Sequence, residues 1–352
     1  EDLLGREPVW IDTRHVAAMV AGKTVLVTGA GGSIGSELCR QLARFGPARL
    51  VLFEQSEFAL YTLEQWFSLH VPDLAPIPLA GDVKDSERLN EVFTAFRPQV
   101  VFHAAAYKHV PLMEVANAWQ AVRNNVLGTL LVAECASRFE AERFVLISTD
   151  KAVNPTNVMG ATKRLAEMVC EALHQRGGVT RFEMVRFGNV LGSTGSVIPK
   201  FQEQIARGGP VTVTHKEITR YFMSIPEAAQ LVLQAAAMGQ GGEIFVLDMG
   251  APIRIADLAR KMIHLSGYSE SEIRIEFIGL RPGEKLYEEL LADAEHTRQT
   301  PHPKLRIAQG RAVDADFLPN LRPWFAEPCQ SDAQVRENLM RWVPEYQPVS
   351  FS

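Results

Sequence analysis

The chain has no apolar run approaching the roughly 20 residues that a membrane-crossing helix needs, and no signal peptide is read at its start. Cysteine is scarce. Cys39, Cys135, Cys170 and Cys329 lie far apart without CxxC spacing, and three of them fall in helical patterns. Reduced packing thiols are therefore expected, which suits a reducing compartment, and no metal centre is read. Positive charge is not in excess either. With 36 Lys and Arg against 41 Asp and Glu, the net charge is -5 and no long basic stripe appears, which argues against nucleic acid as a partner. Internal repeats and low-complexity tracts are missing as well.

What is present is ordinary for a soluble globular protein, with 22% charged and 8% aromatic residues. A length of 352 residues suits one α/β domain with a smaller appended lobe. The first residues, Glu1 to Pro8, read as a polar linker, and a start at Glu1 rather than Met reads as a piece of a longer protein.

Lys23 to Thr28 is a β-branched run, and Ser33 to Phe45 repeats apolar residues at helical spacing. Between them stands a TGxxGxxG loop made by Thr28, Gly29, Gly32 and Gly35. Glycines there permit the tight turn and let the backbone approach a pyrophosphate, whose charge rests on the helix N-terminus. A second strand, Arg49 to Phe53, ends at Glu54. An acid in that place accepts hydrogen bonds from both adenosine ribose hydroxyls and repels a 2′-phosphate, which favours NAD over NADP. Asp82, after a third strand (Ile77 to Ala80), is placed to meet the adenine amino group. A fourth strand (Val100 to His103) runs into Ala104, Ala105 and Ala106, small enough for a cofactor to lie against the backbone. Lys108 follows as the first charge that the reacting end would meet. Asn124 and Asn125 are read at the start of a long apolar helix, Asn125 facing inward and Asn124 either inward or on the helix surface.

The centre of the chain is Ile147-Ser148-Thr149-Asp150-Lys151, an apolar strand that ends in hydroxyls, an acid and an amine. A helix beginning near Met159 then offers Met159 and Lys163 on one face. A further strand, Phe182 to Phe187, completes the alternating βα pattern of a doubly wound parallel sheet, which binds ligands at the carboxyl ends of its strands. From Gly188 the texture changes to a loop, a helix from Pro199 to Arg207, and Val211 to Thr214. Arg220 and Arg281, each beside a turn, suit a second anionic group such as a diphosphate. Residues 279–285 are expected to open a later helix. The tail from Thr300 is broken by prolines and carries no chemistry that can be read. The division expected is an extension at 1–22, a dinucleotide core at 23–188 with further core elements near 226–248, a substrate lobe at 189–225 and 249–310, and an extension at 311–352.

Thr28-Gly29-xx-Gly32-xx-Gly35, Asp82-Val83, His103-Ala104-Ala105-Ala106 and the helix carrying Lys163 together resemble an extended short-chain dehydrogenase/reductase. Three further stretches narrow this: Ser148 to Pro155, Arg186 to Val190, and Arg281 to Lys285. They are similar to those of CapD-like nucleotide-sugar 4,6-dehydratases of bacterial polysaccharide biosynthesis, from about Lys23 to about Leu291. Where family members usually carry Tyr-xxx-Lys, this chain has Met159-Gly160-Ala161-Thr162-Lys163. A methionine variant belongs to the long, membrane-anchored branch, and the start at Glu1 resembles the junction after that branch's membrane region. The resemblance thus implies a soluble catalytic portion, held at the cytoplasmic side of the bacterial inner membrane in the full protein, and a homo-oligomer, with a dimer favoured. Helices around Asn117 to Arg138 and Gly160 to Gln175 would supply a two-fold contact.

The resemblance also implies the reaction. UDP-N-acetylglucosamine would lose hydride from C4 to NAD, then the C5 proton and the C6 hydroxyl, and regain hydride at C6. Lys151 would take the C5 proton, Asp150 would donate to the departing hydroxyl, Thr149 would bond O4, and Lys163 would hold the nicotinamide ribose. Lysine's ordinary pKa near 10.4 makes it a poor base unless it is lowered, and Asp150 conversely needs a raised one. Met159 has no proton to exchange, so the O4 proton leaves through Asp150, the preferred route, or through a water held by Thr149 and Lys163. Further cofactor contacts implied are Ser33, Ile34, Ser56, Val83, Ala104, Ala105, Lys108 and Asn125. Substrate contacts implied are Lys108, Asn189, Ser193, Val197, Ile198, Arg220, Arg281 and Glu284. A UDP-sugar 4-epimerase or a non-catalytic NAD-binding sensor are the rival readings.

Overall fold

The computed structural model describes residues 9–291, 297–308 and 312–349, so the linker expected at Glu1 to Pro8 lies outside the described residues. Six parallel strands form the heart of the fold: β1 (Thr24–Thr28), β2 (Arg49–Glu54), β3 (Ile77–Ala80), β4 (Val100–His103), β5 (Arg143–Ile147) and β6 (Arg181–Arg186). Their spatial order is 3-2-1-4-5-6, the doubly wound arrangement. The strands are apolar runs rather than alternations because helices cover both faces. Successive residues feed opposite cores: Leu26 enters one apolar cluster, and its neighbours Val25 and Val27 enter the other. Beyond β6 the sheet continues with Ile244–Leu247 in parallel, then Leu305–Ala308 and Thr297–Gln299 antiparallel.

The chain leaves β1 and β4 in opposite directions, so a crevice opens between their carboxyl ends. A smaller lobe stands over that edge. Its core packs Ile198 and Phe201 from helix Val197–Ala206 against Leu258 and Ile263 from helix Ile255–Leu265, with strand Val211–Val213 alongside.

Several local expectations change. Residues 13–20 form a helix capped by Asp12, with Val16 and Val20 buried, so the stretch before Lys23 is not all linker. The two asparagines do not begin a helix. They lie in a π-helical turn, Val122–Leu127, inside helical chain that starts at Ala118, and both are buried. The lobe's helix begins at Val197, two residues before Pro199, because proline's ring is accommodated in a first turn. Residues 279–285 do not open a helix but make turns, since Gly283 sits at φ +72° and its carbonyl is taken by Asn157 Nδ2 at 3.1 Å.

The tail is also more regular than its prolines suggest. Leu305–Ala308 joins the main sheet, and helices Phe317–Phe325 and Asp332–Trp342 follow. Pro319 lies in a first turn, where no backbone donor is lost, and Ser331 with Gln334 forms a capping box. These helices pack on the one holding Lys163; Trp324 also rests on Trp119 of the turn Ala118–Ala121, and Glu345, just past the last helix, pairs with Arg164 at 2.9 Å. They thus occupy part of the surface of the two helical stretches for which a two-fold contact is expected.

Candidate active site

The glycine loop is built for close approach. Gly29 has φ +62°, and a Cβ there would stand 2.6 Å from the Ala105 backbone nitrogen. A Cβ on Gly35 would collide with the Gly29 carbonyl. Helix Ser33–Leu42 follows with Gly32 as its N-cap, no side-chain cap bond and no acid in its first turn. Its leading N–H groups therefore have no side-chain cap among the described residues, which leaves them for an anion. Glu54 Oε2 accepts from Gly31 N and Oε1 from Ser56 N, both at 2.9 Å, so the carboxylate is fixed beside the loop. A cavity of about 540 Å³ runs from Gly29 and Gly32 past Glu54 and Val83 to Ala104 and Ala105. This shape and donor set fit a dinucleotide.

The remaining cofactor candidates are mostly supporting. Asp82 is bound by Lys84 at 2.8 Å; burial alone would raise its pKa, but Lys84 outweighs it and the pKa is lowered. Asn124 lines the cavity and accepts from Lys84 Nζ at 3.4 Å. Asn125 instead staples backbone: it accepts from Tyr107 N at 2.8 Å and donates to Tyr107 O and Thr162 Oγ1, each at 3.0 Å. Thr28 Oγ1 and Thr129 Oγ1 grip His103 at 2.7 and 3.0 Å, and burial pushes this histidine down to about 3, so it stays neutral. Ser33 Oγ accepts from Thr194 N at 3.4 Å, which ties the loop after β6 to the glycine loop. Ile34 packs partly into the core beneath.

At the end of β5, Thr149, Asp150 and Lys151 enter a short 3-10 turn. Asp150 is fully buried; its Oδ1 accepts from Thr149 Oγ1 and Lys151 Nζ, both at 3.0 Å, and its Oδ2 has no hydrogen-bond partner among the described residues. Burial raises the Asp150 pKa; Lys151 opposes this, and the carboxylate of Glu288 adds to it. Lys151 also touches Asn189 Oδ1 at 3.3 Å and Glu288 Oε1 at 3.5 Å. Burial would lower its pKa, but the two carboxylates reverse this and hold the amine charged. The expected lowering is therefore not found in the resting site.

Helix Val158–Gln175 is capped by Asn157, whose Oδ1 accepts from Gly160 N at 2.7 Å. Lys163 is buried and donates to the Ile147 carbonyl at 2.6 Å, with a pKa brought down to about 8 by burial. Met159 is 3% exposed and belongs to the core cluster, so at rest its side chain is packing. Beneath the strand end, Ser148 donates to Glu167 at 2.6 Å, and Arg186 grips the same carboxylate through two bonds of 2.8 and 2.7 Å.

On the lobe side, Lys108, His109, Lys200 and Arg281 form one positive neighbourhood. Burial lowers the pKa of Lys108, His109 and Lys200, and the charge of a neighbour in this group or of Lys151 lowers each further. Helix Val197–Ala206 begins there without a side-chain cap bond, although Ile198 itself is lobe core. Ser193 is buried. Arg220 is not open: it donates to Lys285 O at 2.8 Å and Thr219 O at 2.7 Å and pairs with Glu284 and Glu288 at 3.5 Å each. Arg281 is half exposed and pairs with Glu284 at 3.2 Å. Glu288, Glu167, Lys84, His109 and Lys200 were not singled out in the sequence, because each is defined by partners distant along the chain. Among the described residues no group of His, Cys, Asp and Glu forms a metal site, and no helix is long and apolar enough to cross a membrane.

The family profile described as polysaccharide biosynthesis protein matches residues 25–310. The chain belongs to that family. It is 56% identical over 306 residues to the capsular polysaccharide biosynthesis protein CapD of Staphylococcus aureus, covering 87% of this chain and 51% of that protein. The chain thus spans about half the length of such a relative. A UDP-N-acetylglucosamine 4,6-dehydratase (inverting) of Campylobacter jejuni is 32% identical, covering 78% of this chain and 79% of that one. A UDP-glucose 4-epimerase of Rickettsia rickettsii is 34% identical, over 79% and 80%. The X-ray structure of Pen from Bacillus thuringiensis shares the fold at a TM-score of 0.75 and 32% identity, over 87% of this chain and 99% of that one.

Proposed function

We propose that the chain dehydrates UDP-N-acetylglucosamine across C5 and C6 with retention at C5, forming UDP-2-acetamido-2,6-dideoxy-α-D-xylo-hexos-4-ulose for surface polysaccharide. The observation that carries this reading is Asp150, a buried carboxyl with raised proton affinity, an unpartnered Oδ2 and an ammonium beside it. An epimerase needs no acid and base at C6 and C5, and such a pair serves water elimination directly.

NAD, when bound, supplies the redox chemistry, taking hydride from C4 and returning it to C6. The glycine loop, Glu54 and the Ala104–Ala105 strand end would hold it, with Lys163 at the nicotinamide ribose. Lys200, Arg281 and the first N–H groups of helix Val197–Ala206 would face the diphosphate. Thr149 orients O4. Asp150 accepts the O4 proton in place of the missing tyrosine, keeps it because of its raised affinity, and delivers it to O6. Lys151 serves C5 from one face, which is why retention is expected. Its ammonium must first lose a proton, and protonation of Asp150 helps: it cancels one of the two carboxylate charges that hold the lysine proton.

Proton NMR of UDP-N-acetylglucosamine incubated with the protein and NAD in deuterated water tests the reading. A 6-methyl signal beside a hydrated 4-ketone, with deuterium at C5, is the expected result. A UDP-N-acetylgalactosamine product would transfer the case to the epimerases, and unchanged substrate over bound NAD would make the site a sensor. Since Asp150 must start ionised, kcat/KM should fall on acidification at a pH above that of an ordinary carboxylate.

A further inference from the structure

Lys151 stands between two carboxylates rather than beside one. Asp150 Oδ1 lies 3.0 Å from its Nζ, and Glu288 Oε1 lies 3.5 Å away on the opposite segment. Glu288 is 8% exposed, and its Oε2 is buried without a hydrogen-bond partner among the described residues. The same Oε1 is 3.5 Å from Arg220 Nε, which anchors the carboxylate without saturating it. The groups facing Lys151 are thus Asp150 from its own turn, Asn189 from the strand after β6, Glu288 from the 281–291 segment, and Arg220 and Lys108 at longer range. A buried site holding two carboxylates and one ammonium, with an unsatisfied oxygen on each acid, has room for one more proton.

We propose that Glu288 is a positioning carboxylate for the elimination: it holds the Lys151 ammonium and takes up its proton once Asp150 has been protonated. This rests on the dehydratase reading above and assigns its missing step. At rest Asp150 and Glu288 are ionised and Lys151 is charged. The O4 proton goes to Asp150. One N–H bond of Lys151 then breaks, and an O–H bond forms at Glu288 Oε1. The freed lone pair takes the C5 proton, and Asp150 gives its proton to the departing C6 hydroxyl, which leaves as water. When the enone regains hydride at C6, Lys151 returns a proton to C5 and Glu288 returns its proton to Lys151. Every group ends as it began.

The test compares wild type with Glu288→Gln and Glu288→Asp, each first checked for an unchanged melting transition. Glutamine keeps the shape and the hold on Arg220 but has no place for the proton. Its kcat is expected to fall roughly a hundredfold with KM little changed. Deuterium uptake at C5 should fall alongside kcat while C4 oxidation persists, seen as near-ultraviolet absorbance of accumulated reduced cofactor. The aspartate variant should recover part of both. Without substrate, the carboxyl-carbon titration of Asp150, assigned with Asp150→Asn, should move to lower pH in Glu288→Gln, because the Glu288 charge that raises it is gone. A glutamine variant with the wild-type rate and titration overturns the proposal while the dehydratase reading stands. Equal loss of C4 oxidation and C5 exchange would reduce Glu288 to a structural part. Wild type that yields only an epimer overturns both.

Discussion

The two walls of the site are prepared in different ways. On the dinucleotide side the backbone donors that an anion needs are left uncommitted: the first turn of helix Ser33–Leu42 has no side-chain cap, and Gly29 and Gly35 let the loop pack where no Cβ would fit. On the substrate side the charges are engaged with one another. Arg220 is tied to the 284–288 segment, Arg281 to Glu284, and Lys151 to Asp150 and Glu288. A tool that stays bound through every turnover is served by a fixed mould. A substrate that enters and leaves can be met by a charge that exchanges one partner for another, and half-exposed Arg281 is the one that can do so with little net cost. The difference teaches which wall to expect to move.

The strongest way to break this comparison is to remove what both walls share. Glu167→Gln leaves Arg186 and Arg164 with an uncompensated share of buried charge below β5, and about 3–5 kcal/mol of stability should be lost. Urea unfolding reads that loss, and an intact midpoint would mean that the pair carries no weight. Gly35→Ala attacks the mould alone, since its Cβ meets the Gly29 carbonyl; roughly 1–3 kcal/mol should go, with NAD affinity falling and UDP affinity unchanged by calorimetry. Arg281→Ala attacks the other wall alone. Its half-exposed charge should weaken UDP binding by up to about 1 kcal/mol, roughly fivefold in Kd, with NAD affinity unaffected. Lys163 supplies a slope rather than a step. Lys163 titrates near 8 in the folded protein against about 10.4 unfolded, so the unfolded chain holds more protons between those values. Stability should therefore rise with pH across that window, and Lys163→Met should flatten the melting temperature there.

The mould was largely legible in the sequence, because its signals are local. A β-branched run, glycines at fixed spacing and an acid at the next strand end follow from backbone geometry, and Glu54 lies where the spacing places it. The exchangeable wall was much less legible. Glu288 and Lys151 are brought together from opposite sides of the cleft, and nothing near Glu288 distinguishes it from Glu284 or Glu289 until the chain folds. Arg220 and Arg281 read alike as turn arginines, yet burial separates them. In the tail, prolines were read as breaks although Pro319 falls in a harmless first turn. The asparagines at 124 and 125 looked like a helix start because a π-helical turn leaves no pattern in side-chain periodicity.

Met159 has a consequence for what its position can hold. Its thioether is enclosed in the core at the start of the helix that carries Lys163. Met159→Tyr alone would add a ring's width and a hydroxyl in need of a partner to a space already filled. Neighbours would have to shrink first, each at some loss of packing while the methionine remained. The packing around Met159 therefore resists a phenol, and on the proposed mechanism it leaves the handling of the O4 proton to Asp150.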